Sequence, residues 1–191
     1  VAVRKGSQRV RNKNIKPFGS SNLLEIKLDL LSQVSSIDEI VVNSDCDEML
    51  NIGRKYGAKT HKRDNYFASS KATNSEFHKH IAEVTNTDII FLAPVCSPFV
   101  TLDSHQKAID YYSGFDSVTS VSEVKNHLWL DGKPLNYNLD KVPNSQELPD
   151  VVKLTYGISI ISRKIMLQKS GLVGDSPGFI KLNEMESIDI D

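Results

Sequence analysis

The order of apolar and polar positions along the chain predicts strands that alternate with helices. Val1-Ala2-Val3 is a short apolar run typical of a strand. From Leu23 to Val34 apolar residues recur at helical spacing, and the preceding Ser20-Ser21-Asn22 supplies helix-capping side chains. The chain is therefore expected to begin with a strand, a loop that contains Gly6, and a helix.

The same alternation continues as far as residue 171. Buried strands are predicted at 39–43, 88–92, 117–121 and 156–161, with a short strand at 58–61. Helices are predicted at 47–56, 74–84, 103–112 and 162–171. Strands and helices in this order favour an α/β fold of the Rossmann-like kind, with a mostly parallel sheet and helices on both faces.

Residues 125–150 differ in composition, being rich in asparagine, proline and charged residues. We expect them to leave the sheet as a hairpin or flap. The only tryptophan, Trp129, lies among them and is either an anchor packed on its own domain or a contact for a partner. Because 191 residues with 39% hydrophobic content can bury one core, a single domain over 1–191 is expected, with this excursion inside it.

The loop after the first strand is strongly basic. Six cations precede the first acidic residue, Glu25, although the net charge of the chain is only −1. A loop at the carboxyl end of a strand in an open α/β fold binds ligands, and Gly6 lets its backbone approach a phosphate closely. A polyphosphate is therefore the expected ligand.

Two other interpretations of this loop are a solvated surface and an arm that binds RNA. No aromatic residue lies between the cations, as stacking on single-stranded nucleic acid would require. The loop also lacks the glycines of the Walker and dinucleotide-binding motifs. No nucleic-acid partner is expected.

The segment from Ser187 to Asp191 predicts a metal site. If the segment is extended, Asp189 and Asp191 share one side while Ile188 and Ile190 face the core. Paired carboxylates suit Mg²⁺, which takes one or two of them together with substrate phosphates. A solvated acidic tail is the alternative. Because a polyphosphate needs both cations and a metal, we expect the two ends of the chain to meet at one cleft.

The basic stretch R-K-G-S-Q-R-V-R-N-K-N-I-K-P-F resembles the N-terminal signature of the acylneuraminate cytidylyltransferases, A-R-x-G-S-K-x-x-x-x-K-N-I. The run S-I-D-I-D is similar to the metal motif near the end of these enzymes. The resemblance implies transfer of CMP from CTP to a sialic-acid-like sugar acid, with Mg²⁺ as cofactor. Its implied nucleotide-binding residues are Arg4, Ser7, Lys13, Asn14, Asp45 and Arg63, its metal ligands Asp189 and Asp191, and its substrate-binding residues Lys153 and Ser97. Arg4 and Lys13 would also stabilise the leaving pyrophosphate.

Three departures from the family pattern lie on the acceptor side. The stretch Leu92 to Pro98 lacks the family's glutamine, Lys153 to Ser159 lacks its asparagine, and Ser145 stands where an arginine is expected. We infer a different sugar acid as acceptor. The alternatives are another ulosonic acid such as KDO, and a homologue that binds nucleotide sugars without catalysis.

The remaining sequence features predict the surroundings of the protein. No apolar run is long enough to cross a bilayer and no signal peptide is visible, which favours the cytoplasm. Cys46 and Cys96 are too few for a disulfide framework and fit a reducing compartment. His78 and His80, two positions apart on a helix, do not share a face for one metal ion. A few residues are expected to precede Val1, and the family resemblance implies a homodimer formed through residues 125–150.

Overall fold

The computed structural model describes residues 1–7 and 9–190 and contains eleven strands and six helices within them. The strands are β1 Ala2–Val3, β2 Pro17–Phe18, β3 Ser21–Asn22, β4 Val41–Ser44, β5 Lys59–Lys62, β6 Ile89–Leu92, β7 Ser117–Val124, β8 Trp129–Leu130, β9 Lys133–Pro134, β10 Val151–Ser162 and β11 Pro177–Lys181. The helices are α1 Leu23–Ser32, α2 Asp47–Lys55, α3 Asn65–Ala68, α4 Asn74–Val84, α5 Leu102–Tyr111 and α6 Arg163–Lys169.

Two sheets form the framework of the fold. In the first, β4 lies between β1 and β5 and is parallel to both. The second has the order β11-β7-β10-β6, in which β10 is antiparallel to β7 and β6 while β11 is parallel to β7. Since β6 and β7 both oppose β10, they run in the same direction. The α/β class with a mostly parallel sheet is confirmed.

The sequence predicted one sheet, whereas the described structure has two separate ones. Within the described residues β1 pairs with β4 and β6 pairs with β10, and no ladder joins β1 to β6. β1 has only two residues, so it offers few backbone groups for a second ladder. Two short antiparallel ribbons, β2–β3 and β8–β9, lie outside these sheets.

The helices begin where their capping residues predict. The side chain of Asn22 accepts a hydrogen bond from the Glu25 N–H (2.9 Å) at the start of α1. Thr73 and Glu76 form a reciprocal capping box at the start of α4, whose bounds agree with the predicted ones. α6 ends at Lys169, and Ser170, which follows it, takes the left-handed backbone (φ 51°) that was predicted for Gly171.

Three groups of buried apolar side chains hold the helices to the sheets. Leu24, Leu28 and Met49 of α1 and α2 pack with Val42 of β4. The second group is Ile81, Ile90, Ile161 and Met166, and the third includes Val100, Val118 and Ile158. Together they cover the interior of both sheets and fix the strand ends that form the cleft described below.

Residues 125–150 leave the second sheet, as predicted. They contain the ribbon β8–β9 and a 3₁₀ turn, Ser145–Glu147. The Trp129 ring lies 6.2 Å from that of Tyr137 in a T-shaped contact, yet its side chain stays 53% exposed. The longest helix of the described residues is α4 with 11 residues, and none is long and apolar enough to span a membrane.

Candidate active site

A cleft of about 480 Å³ lies where β1 and β6 reach their carboxyl ends. Three segments form its walls: the basic loop after β1, the turn between α3 and α4, and the loop after β6. The lining residues are Ala2, Val3, Arg4, Ser7, Arg9, Val10, Lys13, Asn14, Arg63, Phe67, Ser69, Ser70, Ala72, Asn74, Phe77, Pro94, Val95 and Cys96. Ligands of open α/β folds bind at this edge of the sheet.

The cleft has a positive lining. Arg4, Arg9, Lys13 and Arg63 contribute cationic side chains, and no carboxylate lines it among the described residues. In a partly enclosed site, several cationic side chains close together concentrate anions by focusing the electric field. The geometry therefore suits a polyanion, as the sequence predicts.

Backbone contacts hold the basic loop in place. The Lys5 N–H donates to Asp45 Oδ1 (3.0 Å), and Asn14 Nδ2 donates to the Arg4 carbonyl (3.0 Å). Arg4 Nη1 donates to the carbonyl of Ala68 across the cleft (3.0 Å). Asn14 is buried and Asp45 does not line the cleft, so both residues support the loop through its backbone.

Arg63 is buried behind this loop with only 4% of its surface exposed. Its Nη2 donates to the carbonyls of Val3 and of Asn43, the latter at 3.4 Å, and its guanidinium lies 5.2 Å from the centre of the Phe77 ring. Burial lowers the pKa of Arg63 to about 10, opposed by the charge of Asp45. The side chain is therefore still cationic at neutral pH and fixes the end of β1 against β4.

The two ends of the chain meet at this cleft, which confirms that expectation for the described residues. Lys13 Nζ donates to the Ile190 carbonyl, and the Ile190 N–H donates to the Cys96 carbonyl (2.8 Å). Ile190 also packs against the first group of core residues, as predicted.

Ile188 does not face the core, because the chain turns where an extended segment was predicted. The Ser187 N–H donates to the Asn183 carbonyl (3.0 Å) and the Ile188 N–H to that of Met185 (3.2 Å). Ile188 is 41% exposed as a result. The prediction that it shares a buried side with Ile190 was wrong.

Asp189 is exposed and lies beside Cys96. Burial, followed by the hydrogen bond with the Asp189 carboxylate, raises the pKa of the Cys96 thiol to about 12. The thiol therefore stays protonated near neutral pH. Its backbone and side chain both hold the acidic segment at the cleft mouth.

The predicted metal site stays a prediction. Asp191 lies outside them, and they contain no cluster of three or more histidine, cysteine or acidic side chains. Mg²⁺ accepts one or two carboxylates with phosphate oxygens, so the Asp189 carboxylate beside a polyanion cleft has the chemistry that this ion requires.

Neither of the two predicted substrate-binding residues lines the cleft in the described structure. Ser97 is 4% exposed, and its carbonyl accepts a hydrogen bond from the buried Lys27 Nζ (3.0 Å). Lys153 is exposed on β10, opposite Ser122 of β7. Because β10 is antiparallel to β6 and Ser159 pairs with Leu92, Lys153 lies beyond the carboxyl end of β6.

The sequence analysis did not predict that the segment from α3 to α4 forms a wall of the cleft. It named only Arg63, which precedes this segment. This wall supplies Phe67, Ser69, Ser70 and Asn74 to the cleft. The sequence does contain a signal for this wall. The capping pattern of Thr73 and Glu76 marks the start of α4, so the residues just before it must form a turn. Aromatic and hydroxyl side chains there can contact a nucleoside.

Comparisons with known proteins agree with this geometry. The family model described as cytidylyltransferase matches residues 1–150. The chain is 22% identical over 212 residues to a CMP-N,N'-diacetyllegionaminic acid synthase of Campylobacter jejuni, covering 100% of this chain and 88% of that one. It is 24% identical over 205 residues to N-acylneuraminate cytidylyltransferase A of Danio rerio, covering 100% of this chain and 47% of that one.

The fold is also similar to that of a solved structure. A 4-diphosphocytidyl-2C-methyl-D-erythritol synthase of Anaerococcus prevotii superposes with a TM-score of 0.73 at 16% sequence identity, covering 99% of this chain and 88% of that one. The α/β fold and the cationic cleft at its strand ends define a nucleotidyltransferase. More particularly, the chain belongs to the cytidylyltransferase family, whose model matches well over half of its length.

Proposed function

We propose that this cytidylyltransferase transfers CMP from CTP to a sialic-acid-like, nonulosonic sugar acid. A hydroxyl of the acid attacks the α-phosphorus of CTP, loses its proton, and displaces pyrophosphate. The observation that best supports the proposal is the meeting of the basic loop and the acidic segment at one cleft, through Lys13 and Ile190. Sugar acids named in relatives, legionaminic and acylneuraminic acid, support the acceptor class.

The nucleotide's triphosphate would occupy the positive part of the cleft. Arg4 and Lys13 line it and would bind the β- and γ-phosphates, and their charge would stabilise the pyrophosphate that leaves. Ser7 and the backbone around Gly6 would add hydrogen bonds at the loop, where a Cβ on Gly6 would meet no atom within 4 Å. The site thus supplies positioning and charge, the two main contributions to phosphoryl transfer.

Three further residues would support the phosphate-binding groups. Asn14 and Asp45 hold the loop backbone, and Arg63 adds a buried positive charge at the end of β1. A buried charge of this kind raises the attraction for phosphate because water screens it poorly. We assign the acceptor to the side of the cleft near Ser97 and Lys153, where the family's glutamine and asparagine are replaced.

Magnesium is part of the proposal. Asp189 would hold the ion together with Asp191, and when bound the ion would neutralise charge on the phosphate oxygens. The Cys96 and Lys13 contacts keep this segment close to the phosphate-binding loop. No general base is assigned to the acceptor hydroxyl.

The test is pyrophosphate release from CTP and Mg²⁺ with a panel of nonulosonic acids, with mass detection of the CMP-sugar. We expect one acid to support turnover and CTP to be preferred among the four nucleoside triphosphates. Absence of release with every acid and every nucleotide would overturn the proposal.

Two alternatives follow from the altered acceptor side. Thr155 and Tyr156 occupy the place of an asparagine motif, which fits either another ulosonic acid such as KDO or a homologue without catalysis. Turnover with KDO alone identifies the first. Thermal stabilisation by CTP and CMP-sugars without turnover identifies the second.

The protein's assembly and location belong to the same proposal. The excursion exposes Leu130, Leu135, Leu139 and Val142 by 56–60%, more than a monomer surface needs, which supports a homodimer formed there. Free cysteines at positions 46 and 96 fit a reducing compartment such as the cytoplasm.

A further inference from the structure

Glu186 is a buried acid that the proposed chemistry does not use. Only 5% of its surface is exposed, although it lies in the polar segment between β11 and Asp189. Buried carboxylates are rare unless they are paired or hydrogen-bonded. Glu186 is therefore expected to have several hydrogen-bond partners.

Hydrogen-bond donors surround the Glu186 carboxylate. Its Oε1 accepts from the Thr101 N–H (3.1 Å), the Thr101 hydroxyl (2.8 Å) and the Ser104 hydroxyl (2.6 Å). Its Oε2 faces the Asn183 N–H at 3.5 Å. Burial by itself raises the pKa of Glu186, but these hydrogen bonds outweigh it and hold the pKa below its ordinary range. The group is an anion at the amino end of α5, where the helix dipole favours negative charge.

The contacts of Glu186 join two segments that both reach the cleft. Thr101 follows the loop after β6, which brings Cys96 to the cleft wall. Glu186 itself precedes Asp189 by three residues, and its N–H donates to Asn183 Oδ1 (2.9 Å) to close a turn. The acidic segment is thus fixed at Glu186 on one side and at Ile190 on the other, with Asp189 between them.

We propose that Glu186 is a positioning residue that fixes the acidic segment on α5 and thereby places the Asp189 carboxylate at the mouth of the cleft. An effect of Glu186 on turnover rests on the proposed cytidylyl transfer, whereas its role in holding the acidic segment does not. Groups behind a metal-binding carboxylate control where its oxygens point, and losing them commonly weakens metal binding about 10–100-fold.

A purely structural anchor exists elsewhere in the chain and provides a matched control. The Asp116 carboxylate accepts from the Asp175 N–H (2.7 Å), the Ser176 N–H (3.0 Å) and the Ser117 hydroxyl (3.3 Å). Asp116 precedes β7, whose carboxyl end lies on the cleft side, so this anchor is at the opposite edge of the sheet. Asp116→Asn therefore removes a carboxylate that accepts about as many hydrogen bonds as Glu186 does, but far from the proposed site.

The experiment compares Glu186→Gln with Asp116→Asn in the full chain. Amide hydrogen exchange of residues 187–190, Mn²⁺ binding to the CTP-saturated protein by electron paramagnetic resonance, and thermal unfolding are measured for both. We expect Glu186→Gln to accelerate exchange at the Ile190 amide and to weaken Mn²⁺ binding by about tenfold. Asp116→Asn should lower the unfolding temperature and leave both quantities as in the wild type.

Turnover separates this inference from the proposed function. With an active wild type, Glu186→Gln should lower kcat more than it raises KM for CTP, and added Mg²⁺ should recover part of the loss. If the wild type has no turnover, the proposed function fails while exchange at 187–190 still decides the positioning role. The inference is overturned if the two variants lose stability alike and Glu186→Gln leaves exchange and Mn²⁺ binding unchanged.

Discussion

Lys13 lies where the ends of the chain meet, and its ammonium group serves both the fold and the proposed site. It donates to the Ile190 carbonyl and lines the positive cleft. We expect Lys13→Met, which keeps the aliphatic stem, to lower kcat/KM for CTP by about 10–100-fold, since a charge-assisted hydrogen bond is worth about 1.5–3 kcal/mol. Steady-state kinetics with CTP varied measure the effect.

The control for Lys13 is the neighbouring Lys16, which is exposed and is not part of the described cleft lining. Lys16→Met removes the same charge from the same loop. An equal loss in both variants would contradict the role of Lys13 and would indicate only a general effect of loop charge on anion attraction.

His105 makes the fold sensitive to acid. Burial, followed by the nearby Lys27 charge, lowers the pKa of His105 to about 4 from its ordinary 6.5. Between pH 6.5 and about 4 the unfolded chain binds more protons than the folded one, so the free energy of unfolding falls as the pH falls. For this single group we expect a loss of about 2 kcal/mol between pH 7 and pH 5.

Urea unfolding at pH 7 and pH 5 measures this linkage. His105→Phe should be less stable at pH 7, because it loses the 2.7 Å contact between Nδ1 and the Thr101 carbonyl, but it should lose less stability on acidification. The exposed His127→Phe should keep the wild-type pH dependence. A His105→Phe protein with an unchanged pH dependence would show that another group is responsible.

Single residues of the cleft were predictable to different degrees. Arg4 and Lys13 were predicted through the resemblance of their basic stretch to the cytidylyltransferase signature, and the structure brings both to the cleft. The backbone contacts of Arg63 and the burial of Glu186 were not predictable, because a charged residue in a sequence gives no sign of which carbonyls or helix ends surround it. Such partners are set by tertiary packing alone.

At the scale of elements, β10 contains a local irregularity in its pairing with β7. Its register with β7 shifts between Leu154 and Ser159, and Tyr156 within the shift has φ 54°. A left-handed backbone costs a side chain with a Cβ about 1–2 kcal/mol. We therefore expect Tyr156→Gly to raise the free energy of unfolding by about 1 kcal/mol, measured by urea unfolding.

Leu154 in the same strand is the matched position. It is 38% exposed, close to the 43% of Tyr156, and it does not have a positive φ. Leu154→Gly should lower the free energy of unfolding by about 1 kcal/mol. Glycine at this position relieves no backbone strain, and it makes the unfolded chain more flexible, so folding costs more entropy. Loss of stability in both variants would show that the ring contacts of Tyr156 outweigh its backbone strain.

The elements that the sequence predicted well are those whose signals are local. α1 and α4 have capping residues and apolar periodicity in one short window, and both predictions are confirmed. β11 was missed because Pro177 and Gly178 resemble a turn, and its strand character comes from parallel pairing with the distant β7. The four-residue α3 was predicted as a loop, since one helical turn has no periodicity to detect.

At the scale of the whole molecule, the excursion at 125–150 determines the proposed assembly. Leu130 and Leu139 are 60% and 56% exposed on it. We expect the 21.3 kDa chain to sediment as a dimer, and the double variant Leu130→Asp, Leu139→Asp to sediment as a monomer, because a charge at a dimer interface must be desolvated. Analytical ultracentrifugation at several concentrations measures the change.

An exposed apolar residue outside the excursion is the control for the dimer. Tyr56, after α2, is 39% exposed, and Tyr56→Asp should leave the sedimentation coefficient unchanged. A wild-type chain that sediments as a monomer at all concentrations would contradict the proposed assembly.

The contact between Lys13 and Ile190 joins positions 177 residues apart. At about 5–20 residues per second, a ribosome needs roughly 10–35 seconds to make the chain between them. During that time the first loop emerges with its charges but without the segment that later closes over it. A nascent chain therefore lacks the contacts of Ile190 with Lys13 and Cys96 until residue 190 has left the exit tunnel and folded back.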